Sequence, residues 1–167
     1  ADSLSAIEKL GKRIFLVTGM GTLYSLPYEE QLRGRNLETV VFQAPHEPTV
    51  ELVQRGVDLA QEFGAEAVIG LGGGSAIDTA KAIAGLTTNP GPVEDYLEVV
   101  GKGAVLTEPA LPIAAIPTTA GTGTEVTKNA VMAVPDKKVK VSLRSPFLIP
   151  RLAVIDPDLT LSVPANI

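Results

Sequence analysis

A chain of 167 residues, 45% hydrophobic and 20% charged, is long enough for one domain with a buried core. Its formal net charge of −5 argues against nucleic acid or an anionic membrane as a partner, and the absence of cysteine excludes disulfides, thiolate metal sites and a thiol nucleophile. No run is long and apolar enough to span a bilayer, and the N-terminal ADSLSAIEKLGKR lacks the apolar core of a signal peptide, so the expected location is the cytoplasm. The same stretch lacks an initiator Met, and a processed chain and a fragment are both open.

In chain order, residues 3–10 read as a short first helix and RIFLVTG (13–19) as a buried strand ending in glycine. YEEQLRGR (28–35) is a weaker helix, because Gly34 falls near its end, and LETVVFQ (37–43) is a second strand. TVELVQRGVDLAQEF (49–63) places Leu52, Leu59 and Phe63 on one helical face, with Val53, Val57 and Ala60 beside them and Thr49 as cap. EAVIGL (66–71) is a third strand, and 75–86 a helix whose alanines let it pack close to a sheet. Residues 87–110 are rich in Pro and Gly and read as a surface excursion with a short helix around 94–99. LPIAAIP (111–117) is a fourth strand, 127–144 a small hairpin, and RLAVIDP (151–157) a last strand. Short apolar runs alternating with helices predict an α/β domain, a Rossmann-like parallel sheet flanked by helices with a β-hairpin added.

In an open parallel sheet, ligands bind outside the carboxyl ends of the strands. Three loops fall at such ends: TGMGT (18–22), GGGS (72–75) and PTTAGTGTEVT (117–127). In the second, Ser75 is placed to cap a helix with Asp78 at the third helical position, a capping box. A helix start offers free N–H groups and the positive end of the dipole, and Gly72, Gly73 and Gly74 let an anion approach the backbone. Taken alone, GGGS fits a glycine turn with a good cap slightly better than a ligand site. It matches neither GxGxxG nor the Walker loop. The third loop adds Thr118, Thr119, Thr122, Thr124 and Thr127 around Gly121 and Gly123, neutral donors and acceptors suited to a pyrophosphate, a ribose or an adenine edge. Thr124 and Thr127 also suit turn capping. In TGMGT, Gly19 and Gly21 serve the turn.

GGGSAIDTAKA, then PIAAIPTTAGTGTEVT, then LAVIDPDLTLSVP together resemble the iron-containing (group III) alcohol dehydrogenase family, from about residue 10 to the end. The resemblance implies an N-terminal α/β domain that binds NAD or NADP. It also implies an all-helical C-terminal domain that holds Fe(2+) or Zn(2+), which polarises a small alcohol or aldehyde for hydride transfer. It implies that Gly73, Gly74 and Ser75 hold the pyrophosphate, with Gly72 shaping the turn and Asp78 close by. Thr118, Thr119 and Thr122 then contact the adenosine side or its phosphates. Thr127, Asn129 and Lys140 reach the nicotinamide half, and Leu159 packs beside the cofactor. Lys140 is one of several lysines, with Lys137 and Lys138, that otherwise read as solvated charge.

Two departures from the family pattern matter. Gly19 stands where NAD-preferring members often carry an aspartate; without that carboxylate a 2′-phosphate is not repelled, which leans the expectation towards NADP(H) or dual use. The helical domain with its Asp and three His would follow Ile167. The sequence is therefore expected to be the cofactor domain alone, 157–167 leading towards the missing domain, with no metal ligand and no catalytic residue of its own. The single histidine, His46, lies in the loop APHEP and reads as solvated. The competing readings are a non-catalytic nucleotide-binding or interaction module and a maleylacetate-reductase-like, metal-free reductase. An apolar face left bare would favour a homo-oligomer.

Overall fold

The structure, a computed structural model, describes residues 3–19 and 25–161. The elements in order are α1 (Ser3–Glu8), β1 (Arg13–Thr18), α2 (Ser25–Gly34), β2 (Glu38–Gln43), α3 (Val50–Phe63), β3 (Ala67–Gly72), α4 (Gly74–Thr88), β4 (Ile113–Pro117), β5 (Asn129–Val134), β6 (Val139–Arg144) and β7 (Leu152–Ala153). Five strands form one all-parallel sheet in the order β2-β1-β3-β4-β7, and β5 and β6 form an antiparallel hairpin.

The central strands are apolar along their whole length because both of their faces are covered. In β1, Ile14 and Leu16 join Ile7 of α1, Leu32 of α2, Ile69, Ala114 and Ile116 on one side of the sheet. Phe15 and Val17 point the other way, into a cluster with Val53 and Val57 of α3, Val68 of β3 and Ile83 of α4. The hairpin belongs to this second layer through Ala130, Met132, Val134, Val141 and Leu143. The period-2 burial of β5 expresses that single buried face. Thr49 caps α3 as expected, accepting from the Leu52 amide at 3.2 Å.

α4 lies directly on β3. A Cβ added at Gly70 would stand 3.0 Å from the Cβ of Ala80 and 3.0 Å from the Cα of Ile77, so glycine in the strand and alanine in the helix set this close approach. From Ala76 to Leu86 every residue of α4 except Asp78 is buried, because sheet, α3, hairpin and the 87–110 segment enclose it.

That segment differs from the expected surface excursion. Val93, Leu97 and Leu106 are buried in the cluster over α4, and the helical part is a 3-10 turn at Val93–Tyr96. Buried Asn89 fastens it, accepting from the amides of Thr107 and Glu108 at 2.8 and 3.0 Å and donating to the carbonyls of Gly85 and Glu108. The last strand is also shorter than its apolar run, two residues against β4. Asp156 ends the run by accepting from the Asp158 amide at 3.0 Å, which starts a 3-10 turn at Pro157–Thr160. Among the described residues no helix is long and apolar enough to cross a membrane.

Phe15 is fully buried and its ring lies 5.7 Å from that of Phe42. Phe15→Ala is expected to lower unfolding stability in urea by about 3–5 kcal/mol. A change below about 1 kcal/mol would mean that this layer is not the core.

Candidate functional site

The chain leaves β1 for β2 at one edge and then returns across β1 to β3, so the direction of winding reverses between β1 and β3. In such sheets the crevice for a ligand opens at the carboxyl ends of those two strands. Here the two ends touch backbone to backbone. The Gly19 amide donates to the Leu71 carbonyl at 3.2 Å, and a Cβ on Gly72 would stand 3.2 Å from the Gly19 nitrogen and 2.8 Å from the Ala76 Cβ. Gly72 also has φ +148°, a conformation that side-chain-bearing residues rarely adopt. The third loop closes on the same point. The Thr118 amide donates to the Gly72 carbonyl at 2.9 Å. A Cβ on Gly73 would stand 3.3 Å from the Thr119 hydroxyl, and one on Gly74 3.4 Å from the Thr122 Cγ2. GGGS and PTTAGT thus form one continuous surface beside Gly19. Met20, Gly21 and Thr22 of TGMGT lie outside the described residues.

The expected capping box is not formed. α4 starts at Gly74 with Gly73 as its N-cap, and no side chain caps it. Ser75 is already the second helical residue and is exposed, while Asp78 is the fifth. The extended conformation of Gly73 (φ −74°, ψ −174°) lets the helix begin directly at the strand end. The first-turn N–H groups of Gly74, Ser75 and Ala76 are therefore left for solvent or a ligand, at the positive end of a 15-residue helix.

Asp78 is instead drawn to the third loop and the hairpin. Its carboxylate accepts from the Thr124 hydroxyl and, at 3.1 Å, from the Val131 amide. One turn further along, Lys81 has no exposure to solvent. Its Nζ donates to the carbonyls of Thr127 (2.7 Å) and Asn129 (2.9 Å) and to the hydroxyls of Thr127 (3.1 Å) and Thr124 (3.2 Å). Burial pushes the Asp78 carboxyl up from its ordinary value, against the pull of Thr124, Val131 and Lys81. Burial lowers the Lys81 ammonium to about 8, partly offset by the carboxylates of Asp78 and Glu125. Sequence reading passed over Lys81. Its available signal was a lysine three residues after Asp78 in an otherwise alanine-rich, buried helix.

The remaining expected residues divide into two groups. Thr127 and Asn129 sit beside α4 through Lys81, and the Asn129 Oδ1 is buried without a partner. Lys140 pairs with Ala133 in the hairpin, four positions along β5 from Asn129, or about 13 Å. It makes an ion pair with Glu47 at 2.7 Å in the loop before α3. Leu159 is taken into the core cluster with Leu71 and Ile116, while the neighbouring Thr160 lines a cleft with Thr119, Gly121, Glu125 and Asp156. The Glu125 Oε2 is also buried without a partner. His46 is exposed, and among the described residues no three His, Cys, Asp or Glu side chains are grouped to hold a metal ion. The donor set for a metal is not met by these residues.

Comparison with known proteins follows the same lines. The family model described as iron-containing alcohol dehydrogenase matches residues 1–157. The chain is 36% identical over 166 residues to 4-hydroxybutyrate dehydrogenase of Cupriavidus necator, covering 98% of this chain and 43% of that one. Sulfoacetaldehyde reductase from Bifidobacterium kashiwanohense, solved in complex with NAD+, superposes with TM-score 0.83 at 30% identity, covering 97% and 43% of the two chains. NADH-dependent butanol dehydrogenase A of Thermotoga maritima does so with TM-score 0.85 at 29% identity, covering 96% and 41%. The chain thus spans less than half the length of the relatives it matches.

Lys81 is ionised in the unfolded chain up to its ordinary 10.5, but in the folded protein only up to about 8. Between those values the unfolded state binds more protons. This group's contribution to stability therefore rises as pH climbs from about 8 and is lost as pH falls through it. Urea unfolding at pH 7 to 10 is expected to show wild-type stability gaining on that of Lys81→Met as pH rises. A difference that is flat or falls would contradict the burial of the charge.

Proposed function

Since the chain belongs to the iron-containing alcohol dehydrogenase family, we propose that it is the nicotinamide-dinucleotide-binding domain of an oxidoreductase acting on small alcohols or aldehydes. The observation that carries this reading is the side-chain-free cradle of Gly72, Gly73 and Gly74 at the switch point, opening on the uncapped N-terminus of α4. The first-turn amides of Gly74 and Ser75 would hold the pyrophosphate, because the helix dipole and free N–H groups there favour an anion. Thr118, Thr119 and Thr122 face the adenosine side, and Thr127 and Asn129 the nicotinamide half. A nicotinamide held in this way would supply the hydride chemistry at the alcohol or aldehyde carbon. This chain's part is to hold and orient the dinucleotide. A metal would be held by residues in the part of the relatives that this chain does not span.

NAD(H) is the first choice of cofactor, supported by the complex of the solved sulfoacetaldehyde reductase with NAD+ and by the NADH dependence of the solved butanol dehydrogenase. Gly19 leaves room for NADP(H) as well, since among the described residues a Cβ there meets only the Ala76 Cβ, at 3.9 Å. Calorimetric titration of the metal-free chain with NADH and NADPH tests the reading. Saturable binding that is lost in Gly74→Val, whose side chain would fill the space against Thr122, is the expected result. Equal binding by Gly74→Val, or no binding by wild type, would overturn it. NADPH binding as tight as NADH would support the role given to Gly19; a clear NADH preference would remove it.

A further inference from the structure

Lys81 is not one of the proposed cofactor contacts, yet it organises the residues that are. An ammonium carries three protons and is here surrounded by four oxygens, two of them the carbonyls of Thr127 and Asn129. Carbonyls from two residues either side of Lys128 are turned onto one cation, and this fixes the path of the chain as it leaves the threonine-rich loop for β5. Two acceptors in this same stretch, the Asn129 Oδ1 and the Glu125 Oε2, are buried with no donor among the described residues. A buried acceptor without a donor costs free energy, which a ligand's hydroxyl or amide N–H would recover. By contrast, Thr118, Thr119 and Thr122 are set by the glycines of the cradle, upstream of everything that Lys81 touches.

We propose that Lys81 is a positioning residue for the dinucleotide. Its ammonium holds Thr124–Asn129 against α4, so that the unpaired acceptors of this stretch meet the hydroxyls and amide of the nicotinamide riboside half. The proposal rests on the dinucleotide reading above. Asp78 on α4 and Glu125 on the 3-10 turn at Thr124–Val126 are the carboxylates that bear on the ammonium. Asp78 supports the arrangement by accepting from Thr124 and Val131.

The test compares wild type and Lys81→Met in their affinity for NADH and for ADP. ADP carries only the half assigned to the cradle and the upstream threonines. Lys81→Met is expected to weaken NADH by about tenfold or more and to leave ADP within about twofold. Lys81→Gln, which keeps two N–H donors, is expected to lie between wild type and Lys81→Met for NADH, and it carries the comparison if Lys81→Met does not fold. NADH and ADP weakening together, or neither weakening, would overturn the positioning role, as would failure of both variants to fold. Wild type that binds neither ligand would overturn the dinucleotide reading, and the positioning role with it.

Discussion

An ammonium group with no exposure to solvent sits in the second turn of a helix that is enclosed on every side. Removing a charge from water is costly unless it is compensated, and Lys81 is compensated by hydrogen bonds to neutral oxygens and by the nearby carboxylates of Asp78 and Glu125, which offset its burial only in part. Its partners are four oxygens from Thr124, Thr127 and Asn129, with the Asp78 carboxylate one turn away. Take the pair away and the threonine-rich loop and the hairpin lose their polar attachment to α4. The apolar contacts of Ala130, Met132 and Leu143 would remain, but such contacts do not specify the position of a loop to a fraction of an ångström.

That attachment matters because α4 begins at the site. The helix is drawn onto β3 by the absence of side chains at Gly70 and the small one at Ala80, and the same closeness brings its first turn against Gly19 and Gly72. Uncapped N–H groups, a helix dipole and three glycines then share one point at the reversal of strand order. The loop held by Lys81 arrives at this point from β4. The site is thus two surfaces placed by one helix, the first by its backbone and the second by its side chains.

Much of this was legible in the sequence. The central strands showed as short apolar runs because both of their faces are buried, and the alternating Val, Met and Lys of 127–144 marked a hairpin, whose strand β5 buries every second residue. The three glycines at the junction of β3 and α4 signalled a close approach of backbone. What sequence reading missed depends on contacts far along the chain. Ser75 and Asp78 have the spacing of a capping box, but Asp78 is claimed by Thr124 and Val131, 46 and 53 residues away, and the helix starts at Gly74 instead. Lys81 is silent for the same reason, since its acceptors lie 43 to 48 residues downstream. The 87–110 segment was read from its Pro and Gly content, whereas its burial follows from three apolar residues and from Asn89. The position of Lys140 opposite Ala133 follows from strand pairing and from no local signal.

The most direct measurement is the movement of backbone amide NMR signals of this chain on titration with NADH. If the dinucleotide lies on the start of α4, the largest shifts fall on the amides of Gly73, Gly74, Ser75 and Ala76, with a second group at Thr118–Thr122. Shifts confined elsewhere, such as the groove between α3 and Pro92–Glu94, or no shifts at all, would contradict a binding site at the glycine cradle.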